Sequence, residues 1–190
     1  EMAMNRVGGW NGELVKRLCE GDRLAPVREY VLAGAEAISV TRNAAYLVLN
    51  HLKLIADNIA TAQDAFSKTF FVSNGPIRLW FGDNFKNWVL GVIPDEVPAF
   101  QGTLMKTELT MSMSDSEIQK ELGNLEPLTV SEFAAIIRHL VQSQPKGEAG
   151  TLLTNGYANI FYVKLVNGRV VAVFVCWDSG GAGWDLRAHD

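Results

Sequence analysis

The spacing of apolar and polar positions changes along the chain. Ala44, Val48, Leu52, Ile55, Ile59, Ala62 and Phe66 recur at intervals of three and four, which lines one face of a helix. Thr41 stands where an N-cap belongs, and Arg42, Asn43, Lys53, Asp57 and Gln63 fill polar positions elsewhere. This pattern predicts an amphipathic helix of about 25 residues, packed within its own domain or presented to a partner. Ahead of it, "WNGELVKRLCEGD" predicts a short helix from about Glu13 to Cys19. "APVREYVLAGAEAIS" predicts a second, with Pro26 in its first turn. The first third therefore reads as helical.

The middle reads as strand. "TFFVS", "IRLWFG" and "NWVLGVI" are short aromatic and β-branched runs, punctuated by Asn74-Gly75-Pro76 and Gly82-Asp83-Asn84. Pro94 and Pro98 interrupt the pattern, and a strand from about Phe100 to Met111 follows. Two helix starts come next. Ser114 and Glu117 have capping-box spacing, with Met113 and Ile118 as a hydrophobic staple. Thr129 and Glu132 repeat the device, with Leu128 and Phe133. The first of these helices should stop near Gly123 and the second before Pro145.

The clearest local pattern is "NIFYVKLVNGRVVAVFVCW". Asn167-Gly168 between apolar runs predicts a two-residue hairpin turn. That turn pairs Leu165 with Val170, Val163 with Ala172 and Phe161 with Phe174, all on one apolar face that Cys176 continues. The other face is mixed, and is expected to be half solvated or covered by a neighbour. After "DSGGAG", "WDLRAH" predicts a third strand. Its register sets which face its charges occupy. A four-residue loop pairs Trp177 with Trp184 but sends Asp185 and Arg187 to the apolar face. A five-residue loop opposes Trp184 to Cys176 and keeps the charges off it. Burying unpaired charges costs several kcal/mol, against roughly 1 kcal/mol from one aromatic pair, so the five-residue loop is expected. Tyr162, Lys164, Asp185, Arg187 and His189 then share the mixed face and form the candidate binding surface.

The expected fold class is α+β: a helical N-terminal third packed with a mainly antiparallel sheet that ends in a three-stranded meander. The expected division is a helical segment 1–68 and an α+β segment 69–190, or one domain of all 190 residues. At 48% hydrophobic content the chain can bury a sizeable core. Its formal net charge of −4, with no basic run longer than Lys16-Arg17, disfavours nucleic acid and anionic membranes. No apolar stretch approaches the roughly 20 residues of a membrane-spanning helix, and the first residues do not read as a signal peptide. Cys19 and Cys176 are the two cysteines. They are expected to be reduced in a cytoplasmic protein, with a single bridge as the alternative.

Asp178-Ser179-Gly180-Gly181 has the look of a protease nucleophile run, but Ser179 lacks a base in reach and the preceding helices do not suit that scaffold. Cys176 reads as structural on its apolar face. Asp95-Glu96 and the other acidic pairs lack a neighbouring His or Cys, so no metal and no cofactor is expected. Three functional readings follow. The first is a non-enzymatic binding or structural protein, with a protein partner or a second copy as its ligand. The second is a hydrolase whose unidentified catalytic residues converge from distant segments. The third is a sugar- or nucleotide-binding protein using the rings of Trp80, Phe81, Phe85 and Trp88.

Overall fold

The computed structural model describes residues 36–40, 51–72, 75–123 and 125–190. These are mostly strand with a few short helices. Among the described residues eight strands form one mixed sheet; seven of them run in the order β2 (Leu52–Gln63), β6 (Phe100–Leu109), β1 (Glu36–Val40), β8 (Asn159–Lys164), β9 (Val170–Asp178), β10 (Gly183–His189) and β4 (Leu79–Phe81). The eighth, the short β7 (Leu128–Thr129), lies off this path and runs parallel to β8. The small pair β3 (Phe66–Ser67) and β5 (Glu96–Val97) stands apart. Helices α1 (Asp115–Leu122) and α2 (Val130–Ser143) cover opposite faces.

The helical N-terminal third is overturned. Residues 36–40 and 52–63 are strands, and the expected helices before residue 36 lie outside the described residues. β2 pairs antiparallel with β6 but shifts register between Leu54 and Ala56 and again between Ala56 and Ile59. Each bulge moves side chains across the sheet without a change of strand. The two shifts cancel in parity, so Leu52 and Ile59, an odd number of positions apart, lie on opposite faces as strand alternation requires. Leu52 packs in one core and Ile59 against the other, while Ile55 is exposed. The three-and-four spacing therefore does not line one face here, and pairing along β6 overrides the local helical preference. "NWVLGVI" also departs from its reading: Phe85–Val89 and Leu90–Val92 are helical turns that bury Phe85 and Val89.

Both capping boxes form. Ser114 N–H donates to Glu117 Oε2 at 2.7 Å, and Thr129 N–H to Glu132 Oε2 at 2.8 Å. Met113 and Ile118 are buried together, as are Leu128 and Phe133. Gly123 ends α1 with φ 63°.

β8, β9 and β10 run antiparallel in sequence, but both expected registers are off by one. Gly168 N–H donates to the Leu165 carbonyl at 2.9 Å, Leu165 N–H donates to the Arg169 carbonyl at 2.8 Å, and Gly168 has φ 85°. The loop therefore has three residues and needs the left-handed conformation at Gly168 only. Phe161 opposes Val173 and Tyr162 opposes Ala172. At the next connection Trp184 opposes Trp177 and Asp185 opposes Cys176, which corrects the five-residue loop to four. The charge penalty that argued otherwise does not arise, because Arg187 donates from Nε and Nη2 to Asp185 Oδ2 at 2.9 and 2.7 Å. Trp184 is fully buried, meets Trp177 edge to face at 5.3 Å, and donates Nε1–H to the Gln144 carbonyl.

These registers define two cores. Phe161, Val163, Val173, Val175, Trp184 and Leu186 meet Phe133, Ile136 and Ile137 of α2. Ile160, Tyr162, Ala172 and Cys176 meet Ile118 and Leu122 of α1. Burying each large side chain contributes roughly 1.5–3 kcal/mol, and the sheet collects that on both faces.

Candidate functional site

The five residues expected to form a binding surface do share one face, the one under α1. The two register errors cancel between β8 and β10, while the residues between them become Ala172, Phe174 and Cys176 in place of three valines. Of the two expected states, half solvated or covered by a neighbour, the second holds around Tyr162, which packs with Ile118 and Leu122, while Arg187 and His189 stay partly exposed. Tyr162 is buried, and its hydroxyl donates to Asp115 Oδ1 at 2.9 Å. Asp185 is buried and paired with Arg187. The His189 ring lies 4.6 Å from that of Phe174. Lys164 alone of the five is exposed. Burial raises the Asp115 carboxyl to about pKa 6 against the Tyr162 hydrogen bond, which lowers it. Burial, reinforced by Asp115, pushes the Tyr162 hydroxyl well above its ordinary value.

An open concavity lies at the edge of α1 instead. His51 enters it from the start of β2, and Met111, Ser112 and Met113 from the segment between β6 and α1. Glu117, Lys120 and Glu121 complete it from α1, around a volume of about 350 Å³. Thr110 holds the entry, its N–H and hydroxyl both donating to the His51 carbonyl, at 2.9 and 2.8 Å. Glu121 is nearly buried. It accepts the backbone N–H groups of His51 and Leu52, and its second oxygen lies 3.3 Å from His51 Nδ1. A carboxylate accepts, so Nδ1 is the donor of this pair and Nε2 is the ring nitrogen not engaged by Glu121. Glu117 is committed to capping. The Ser114 N–H and hydroxyl, with a smaller contribution from the charge of His51, hold its carboxyl below the usual value.

Sequence reasoning missed this cleft because the helix assigned to residues 41–66 placed His51 in mid-helix. Its partner Glu121 lies 70 positions away, and no local pattern links them. The aromatic region offers no open stack. Phe85 is fully buried against Phe81, the guanidinium of Arg169 caps Trp88 at 4.0 Å, and Trp80 is exposed by itself. The basic groups beside those rings are engaged, Arg78 with the Gly181 carbonyl and Lys86 with Asp83.

Ser179 is exposed in a turn, where Asp178 accepts the N–H groups of Gly180 and Gly181 at 2.8 and 3.0 Å. That carboxylate shapes the loop. Cys176 is disulfide-bonded, so the expectation of reduced cysteines does not hold; the chain's other cysteine, Cys19, lies outside the described residues. Among the described residues no helix is long and apolar enough to cross a membrane, and no three His, Cys, Asp or Glu side chains converge as metal ligands. The fold and site together define a two-faced mixed sheet with a lateral cleft. No protein-family model, curated protein or solved structure matches the chain.

Proposed function

We propose that this protein is a non-enzymatic binding module and that its ligand enters the cleft between α1 and the start of β2. The supporting observation is the division of labour among the cleft's polar groups. Glu117 and Glu121 are committed to backbone groups, whereas His51 is half exposed and held from behind. Groups fixed this way favour recognition over proton shuttling. The space suits a small ligand, or one side chain of a protein partner. Backbone-resolved NMR with a small-molecule fragment library tests the reading. Hits should shift Met111, Ser112 and Lys120; hits that cluster on Lys164, Arg187 and His189 would overturn it.

One observation favours a hydrolase as a second reading: the 3.3 Å contact of Glu121 with His51 Nδ1, in a cleft that also holds Ser112. A carboxylate that orients a histidine base beside a hydroxyl is the arrangement acyl transfer uses. Covalent labelling of Ser112 by a fluorophosphonate, abolished in His51→Gln, would support the hydrolase. An unlabelled Ser112 leaves the binding reading in place.

We further propose an oxidising compartment in place of the cytoplasm, since a persistent disulfide belongs to such surroundings. Thiol blocking of protein extracted without reductant should leave Cys176 unmodified.

A further inference from the structure

We propose that the ligand of this cleft is a soft metal ion of the Cu(I) type, held by the thioethers of Met111 and Met113 and by Nε2 of His51. The inference rests on the reading of the cleft as the ligand site and adds the ligand's chemical class. Three features of the cleft support it.

First, two methionines two positions apart line one small cavity with a histidine. Met113 is buried beside Ile118 where it lines the cleft, while Met111 is 48% exposed, a large apolar side chain left in solvent. Thioether sulfur is a soft donor that selects Cu(I), and imidazole binds copper well. Second, Glu121 holds the opposite ring nitrogen of His51. Metal-binding histidines are commonly oriented by a carboxylate in this way, which fixes the tautomer and leaves the other nitrogen for the metal. Third, the charge of the cleft disfavours a divalent ion more than a monovalent one. Glu117 and Glu121 already accept backbone N–H groups, and the Lys120 ammonium at the cleft opposes a divalent cation. A monovalent ion with uncharged ligands meets less of that opposition. The step is coordination alone: the lone pairs of two sulfurs and one nitrogen bind the ion, with no change of oxidation state.

The test is competition for Cu(I) between the intact protein and a chromophoric Cu(I) chelator, under anaerobic conditions with ascorbate as reductant. Ascorbate replaces thiols, which would compete for the metal. One equivalent of Cu(I) should leave the chelator, and Zn(II) should not displace it. Met111→Leu keeps the rim's volume and removes the sulfur; it should weaken Cu(I) binding by about tenfold or more. His51→Gln should do the same, with the circular dichroism of both variants unchanged. Failure of the wild-type protein to compete, or unaltered affinity in both variants, would overturn the copper assignment. Fragment hits at Met111 and Lys120 alongside failed copper competition would refute the metal alone and leave the binding cleft standing.

Discussion

At the scale of single residues, the least comfortable group is Asp115. It sits in the first turn of α1, buried on the sheet, with the Tyr162 hydroxyl as donor. Its carboxyl titrates near 6 in the folded protein, against 3.8 when unperturbed. Between those values the folded state binds the proton more readily than the unfolded one. The contribution to stability is therefore complete below about pH 4 and is lost as pH rises through 6. At neutral pH the ionised, buried carboxylate lowers stability by about 2–3 kcal/mol. Asp115→Asn should remove this dependence and raise the denaturation midpoint at pH 7, measured by urea titration across pH 4–7. A profile unchanged by the substitution would show that Asp115 is not the group responsible. Gly147 is the opposite case, a residue that admits no replacement. It has φ 69°, and a Cβ there would lie 2.2 Å from the Trp177 ring. Gly147→Ala should cost about 1–3 kcal/mol, read as a lowered Tm.

At the scale of elements, what was legible followed from short-range chemistry. The capping boxes at Ser114 and Thr129 lie within four residues, so side-chain identity alone specifies them. Thr129→Ala should therefore cost about 1 kcal/mol in chemical denaturation, because α2 loses its cap while its buried stripe stays intact. The failures share a different cause. β2 takes its conformation from β6, whose paired residues lie 37 to 57 positions further on, beyond the reach of any local periodicity. The hairpin at Asn167-Gly168 satisfies two loop lengths equally well in sequence; the hydrogen bonds of Leu165 choose the longer. One signal in the sequence did point to the right answer. "IFYV" and "VVAVFVCW" are continuous apolar runs, which mark strands buried on both faces rather than one. His51 was lost with the wrong helix, since no property of a lone histidine announces a carboxylate seventy residues away.

At the scale of the whole molecule, the sheet is the organising structure. α2 and the helical turn at Phe85 close one face, α1 closes the other, and the disulfide at Cys176 starts from the α1 side. Removing the bridge with Cys176→Ser should lower stability by about 2–5 kcal/mol, measured as Tm in non-reducing buffer. The position of the polar residues depends on how β9 is registered against both neighbours. A shift of one residue at either turn exchanges the two faces of β9. It would also bring valines under α1 in place of Ala172, Phe174 and Cys176. The most direct measurement is the set of cross-strand backbone NOEs in isotopically labelled protein. The structure predicts contacts of Trp184 with Trp177 and of Phe161 with Val173. Contacts of Trp184 with Cys176 and of Phe161 with Phe174 would contradict it, and would reopen the face of Lys164, Arg187 and His189 as the binding surface.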